Sequence, residues 1–77
     1  MKLPRVVLVA WRDAVGLSDG WGQFESKDHK PRLVVSVGLV LREDKTGVSL
    51  AQSLDSKGHD DHAIFIPRCN IESVEEL

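Results

Sequence analysis

The sequence predicts an all-β protein, a single small domain over residues 1–77 folded as a five-stranded, strongly bent antiparallel barrel. Three observations lead there. Apolar and polar residues alternate with a period of two along most of the chain. Turn-forming residues interrupt that alternation at short intervals. A glycine, Gly38, sits inside the longest alternating stretch, where it marks a sharp bend or a close backbone approach that lets one strand serve two sheets of a small barrel.

The elements follow in order. Residues 5–11 place Val7, Val9 and Trp11 on one side and Val6, Leu8 and Ala10 on the other, so the first strand is apolar on both faces and is expected to be central or sandwiched between layers. Residues 12–32 lose the pattern: Gly16, Gly20 and Gly22 break it, Ser18-Asp19-Gly20 reads as a turn, and Lys30-Pro31 stops whatever precedes it. A connection this long is rarely structureless, which predicts a short helical turn or edge strand over residues 21–27 pinned by Trp21 and Phe24. In residues 33–42, Leu33, Val35, Val37, Leu39 and Leu41 are expected on the core side, with Val34, Ser36, Gly38, Val40 and Arg42 opposite. Glu43-Asp44-Lys45-Thr46-Gly47 forms a tight polar turn, and residues 48–54 return as the other arm of a hairpin. A polar loop around Gly58 spans residues 55–61. Residues 63–66 form a short strand ended by Pro67, residues 68–70 turn, and Ile71, Val74 and Leu77 mark the last strand.

Composition narrows the function. The chain has 77 residues, 42% of them hydrophobic, and a chain of that size buries only about 60% of its unfolded surface, so a partner subunit is a plausible supplement to its core. No apolar run approaches the ~20 residues of a membrane span. The N-terminus has one Lys, an early Pro and an apolar stretch of only residues 6–11, which predicts no signal peptide and a cytoplasmic protein. Ten basic side chains against twelve acidic ones give a net charge of −2, and the densest basic segment, residues 27–32, contains its own Asp28; generic nucleic-acid binding is not indicated. Cys69 is alone, which excludes an internal disulfide and a Cys-based zinc site, and it reads as a small packed residue rather than a nucleophile. In Gly58-His59-Asp60-Asp61-His62, the two imidazoles and the carboxylates have ligand chemistry, but one loop offers no second element to complete a site, so a solvated loop and no metal are expected. Ser18, Ser36, Ser49 and Ser53 lie in no nucleophile motif, and residues 16–22 match no phosphate loop. The reading is a non-enzymatic protein without a cofactor.

Residues 36–50, S-V-G-L-V-L-R-E-D-K-T-G-V-S-L, resemble the first motif of the Sm and Sm-like family, with Gly38 in the bent strand, Asp44 opening the hairpin and Leu50 in the return strand. Residues 64–74, I-F-I-P-R-C-N-I-E-S-V, resemble its second motif, with Ile66, Asn70, Ile71 and Val74 on the family's spacing. The resemblance covers residues 36–77. Trp11-Arg12-Asp13-Ala14 and Gly20-Trp21 look instead like short proteins of phages and prophages, which implies the host cytoplasm as compartment. The family resemblance implies an Sm-like, SH3-like barrel that closes into a homo-oligomeric ring by pairing one subunit's fourth strand with the next subunit's fifth. RNA-binding members carry Asn four residues after the Asp, where this chain has Val48, and Arg-Gly where it has Pro67-Arg68. The resemblance therefore supports assembly better than RNA.

If RNA is the ligand, Arg68 and Asn70 from the second-motif turn, with Asp44 and Lys45 from the hairpin, are the expected contacts. Trp21, Phe65 and Ile71 are the candidate interface side chains. Two alternatives use the same chain differently: sequestration of a small ligand such as a nucleotide in clefts between subunits, or an adaptor presenting residues 12–32, anchored by Trp21, to a host protein.

Overall fold

A computed structural model of the chain describes residues 2–15 and 20–77. Seven strands follow in chain order: β1 (Val6–Asp13), β2 (Arg32–Asp44), β3 (Gly47–Ala51), β4 (Ser53–Leu54), β5 (Asp60–Asp61), β6 (Ile64–Pro67) and β7 (Ile71–Glu76), with single 3-10 turns at Ser26–Asp28 and Arg68–Asn70. The all-β prediction holds. The five long strands predicted from the sequence make one antiparallel sheet in the order β6-β3-β2-β1-β7, and β4 and β5 form a separate two-stranded ribbon.

The outer strands β6 and β7 are not hydrogen-bonded to each other among the described residues, so the ladder is open. It is nevertheless curled. Four strand spacings separate β6 from β7, about 19 Å in a flat sheet, while the 3-10 turn joining them spans only about 6 Å. A register shift between Val40 and Arg42 adds a local kink to β2, as a bulge does.

Curling encloses the core on one face. Val7 and Val9 from β1, Val48 and Leu50 from β3 and Ile66 from β6 are buried, with Trp11, Val40, Ile71 and Val74 packed around them. Trp11 satisfies its indole by donating Nε1–H to Ser36 Oγ at 3.0 Å, which fixes the ring at the rim of the core.

The inward face of β2 is the reverse of the one expected. Leu33, Val35 and Val37 are 74%, 64% and 60% exposed, and Leu41 is also exposed, whereas Gly38 is buried and Val34, Ser36 and Val40 are half-buried. Closeness of approach explains the inversion. A Cβ on Gly38 would lie 3.0 Å from Leu50 Cβ and 3.1 Å from the Ala51 carbonyl oxygen, so a larger residue at this crossing point would have to push its neighbours back by a few tenths of an ångström. Gly38 thus marks a close approach, as its position in the strand suggested.

Two local expectations are also revised, and a third is untested. The segment before β2 contributes one 3-10 turn, Ser26–Asp28, held where Glu25 N–H donates to Asp28 Oδ2 at 3.2 Å; Trp21 is fully exposed and pins nothing. The turn expected at residues 18–20 lies largely outside the described residues. The arm returning from the hairpin ends at Ala51, because Gln52 N–H turns to the Asp61 carbonyl at 3.0 Å and carries residues 53–54 into the β4–β5 ribbon. No helix among the described residues is long and apolar enough to cross a membrane.

Candidate functional site

Both predicted motif loops meet at one end of the sheet. The β2–β3 hairpin closes with Asp44 opposite Gly47, leaving Lys45 and Thr46 as its two-residue loop. Asp44 shapes that loop: its Oδ1 accepts from Thr46 N–H at 2.9 Å and from the Thr46 hydroxyl, and its Oδ2 accepts from Arg42 Nε at 3.1 Å. These donors, the Thr46 hydroxyl first, hold the Asp44 carboxyl below its ordinary range. Gly47 then packs directly on β6. A Cβ there would fall 2.3 Å from the Ile66 carbonyl oxygen and 2.7 Å from the Phe65 ring, so only glycine fits.

The 3-10 turn Arg68–Asn70 is stitched to both neighbours. On one side Arg68 N–H donates to the Thr46 carbonyl at 3.0 Å and Arg68 Nη2 donates to the Asp44 carbonyl at 2.6 Å. On the other, Asn70 Nδ2 donates to the Arg12 carbonyl at 2.8 Å, and Arg12 Nη2 donates back to the Cys69 carbonyl at 3.1 Å. Asp44, Lys45 and Arg68 therefore share the hairpin end. Asn70 faces the end of β1, with its amide nitrogen used within the chain. Cys69 between them is exposed, contrary to the packed position expected, because its two neighbours are the residues tied inward.

An ion network lies behind this end. Arg5 Nη1 is 2.8 Å from Glu43 Oε1 and Arg5 Nε is 2.6 Å from Glu76 Oε1, while Arg68 Nη2 is 3.6 Å from Glu43 Oε2. It joins the lead into β1 with β2, β7 and the 3-10 turn. Hydrogen bonding from Arg5 is the largest cause depressing the Glu43 carboxyl, and Glu76 followed by Glu43 raises the Arg5 guanidinium.

Phe65 is half exposed on the outer face of β6, across from Ser49, and lines a shallow groove with Arg42, Asp44, Thr46 and Gly47. Arg42 and Thr46 were not singled out from the sequence. The register carries the signal, since Arg42 pairs with Ser49 and Ser49 with Phe65, which sets the three in one row. Of the other interface candidates, Ile71 packs against the core beside Trp11, and Trp21 stands free in solvent.

The histidine-bearing loop makes only local pairs. His59 Nδ1 is 2.9 Å from Asp55 Oδ2 and His62 Nδ1 is 3.0 Å from Asp61 Oδ1. Asp55 also accepts from the Lys57 and His59 backbone N–H groups at 2.9 Å each, which lowers its carboxyl, the His59 N–H most. Among the described residues no three His, Cys, Asp or Glu side chains are grouped to hold a metal ion.

Comparison with family models, with curated proteins and with solved structures returned no match to this chain.

Proposed function

We propose that the chain is a non-enzymatic Sm-like module with a barrel-type curl that closes into a homo-oligomeric ring and binds its ligand at the hairpin end. One observation carries the reading: the outer strands β6 and β7 each have a single neighbour in the sheet, and a three-residue turn sets them head to tail. Unpaired strand edges seek partners, and a head-to-tail contact that closes on itself makes a ring. Ile64, Phe65 and Leu77, exposed near those edges, are the apolar surface such pairing covers.

Single-stranded RNA suits the groove better than a duplex does. Phe65 offers a stacking face beside Arg42, and Lys45 stands at the exposed tip of the hairpin. Arg68, a contact expected from the sequence, serves instead to hold the hairpin.

Native mass spectrometry of the untagged protein tests assembly. A single species of about five to seven subunits, a closed cyclic order, is the expected result, and an 8.6 kDa monomer at micromolar concentration removes the ring. Titration with a short oligouridine, comparing the parent protein with Lys45→Ala, tests the ligand; a loss of several-fold in affinity is expected, and no binding by the parent removes RNA.

The exposure of Trp21 favours a second reading, an adaptor that presents residues 12–32 to another protein. Retention of one host protein by the parent and not by Trp21→Ala is its signature.

A further inference from the structure

Among the described residues a further edge of the large sheet is open, and it is neither of those used by the ring. Val40 N–H donates to the Arg5 carbonyl at 2.9 Å. Carried along the β1–β2 register, that bond makes Gly38, Ser36 and Val34 the residues that exchange hydrogen bonds with Val7, Val9 and Trp11. Leu33, Val35 and Val37 therefore aim their backbone N–H and C=O groups away from β1. β3 takes up this side of β2 only from Leu39 onward, where it pairs with Ala51. The same three residues are the exposed aliphatic row. An uncharged, apolar edge without bulge or proline in its middle is the kind that pairs with another strand.

We infer that this edge, residues 33–37 of β2, pairs antiparallel with the same edge of a second copy about a two-fold axis at Val35. The local sequence, Leu33-Val34-Val35-Ser36-Val37, is self-complementary in that register. Val35 meets its own counterpart, and Leu33 meets Val37 twice. Each of these pairs exchanges two backbone hydrogen bonds, and the side chains of Leu33, Val35 and Val37 fall on one face.

Both ends of the contact fit. Pro31 of one copy arrives opposite Leu39 of the other, the point at which β3 already occupies the edge, and proline has no N–H to contribute there. Lys30 and Arg32 arrive beside the β4–β5 ribbon, which lies next to β2 and carries exposed Asp55, Asp60 and Asp61. Opposite charges thus meet at each end, and none are placed in the middle. A five-residue edge is small against a standard interface of about 1,600 Å², so the pairing is a concentration-dependent equilibrium. It does not rest on ring formation.

Cysteine placement reads the register directly. In a Cys69→Ser background, Val35→Cys puts two Cα atoms about 5.5 Å apart across the axis, within the ~4.4–6.8 Å that a disulfide spans. Leu33→Cys puts them about 14 Å apart. Oxidation at micromolar protein is expected to give a covalent dimer at least tenfold faster from Val35→Cys. Equal yields, as from a face-to-face stack of copies or random collision, overturn the inference, as does no dimer from Val35→Cys with the circular dichroism of the parent. Val35→Lys supplies the second measurement: at protein concentrations raised until the sedimenting mass of the parent reaches its plateau, it is expected to halve that mass whether the parent is then a simple dimer or a pair of rings, and an unchanged mass overturns the inference. Loss of ring order through a β7 variant leaves both readouts interpretable, since each reports only on β2.

Discussion

The two faces of the sheet carry similar side chains and meet opposite fates. On the inner face Val7, Val9, Val48, Leu50 and Ile66 are buried; on the outer face Leu33, Val35 and Val37 are largely in solvent, beside half-buried Leu8 and Ala10. Hydropathy does not separate these rows. What separates them is the distance between strands on the concave side, where Gly38 and Ser36 leave room for Leu50 and for the indole of Trp11. In a sheet this curled, the inward positions of a long strand favour small residues, and large aliphatic ones are displaced outward.

Mutations sharpen that contrast. The largest effect is expected from Ile66→Ala, which removes a fully buried side chain and costs about 4 kcal/mol, read as a lower urea midpoint at unchanged slope. Gly47→Ala comes next at about 3 kcal/mol, since the Ile66 carbonyl oxygen it would strike belongs to the backbone. Asn70→Ala, which frees the Arg12 carbonyl from the 3-10 turn, is expected to cost about 1 kcal/mol. Smallest is Val37→Thr on the outer row, at under about 0.5 kcal/mol in dilute solution. If Val37→Thr destabilises as much as Ile66→Ala at every concentration, the outer row is buried within one chain and the contrast between faces fails.

Acid probes the hairpin end separately. The Glu43 carboxyl is held below its usual 4.5, so its contribution is fully present above about pH 4.5 and is lost as the pH falls through the depressed native value. Asp44 and Asp55 are lowered from 3.8 and act in the same direction. The thermal midpoint is expected to fall on acidification below about pH 4.5, and Glu43→Gln should flatten the first part of that decline. A decline unaltered in Glu43→Gln would show that the Arg5 network contributes nothing to it.

Much of this architecture was legible because its causes are local. Alternation marked β1 as a strand apolar on both faces, with Val7, Val9 and Trp11 sharing one of them, Asp44 through Gly47 announced the hairpin, and Pro67 marked the end of β6. The inward face of β2 was not legible, since the row of Leu33, Val35 and Val37 is the more apolar one and the row with Ser36 and Gly38 faces inward only because Leu50 approaches so closely there. Equally hidden was the link from Arg5 to Glu43 and Glu76, residues 38 and 71 positions away, because no spacing along the chain signals a contact made by curling. At the site, Asp44, Lys45 and Arg68, named from the sequence as the contacts for an RNA ligand, share the hairpin end. Asn70 was not foreseen as a tie to β1, since that role depends on where the end of β1 arrives.

The two tryptophans, placed so differently, give the protein a built-in optical reporter. Trp11, half-buried with its indole bonded to Ser36, should emit at shorter wavelength and resist iodide, while Trp21, bare in solvent, should emit near the limit for free indole and be quenched readily. On unfolding, only the first signal should move. On docking of anything over residues 20–24, only the second should, so a single emission spectrum can tell loss of the fold from gain of a partner without a label.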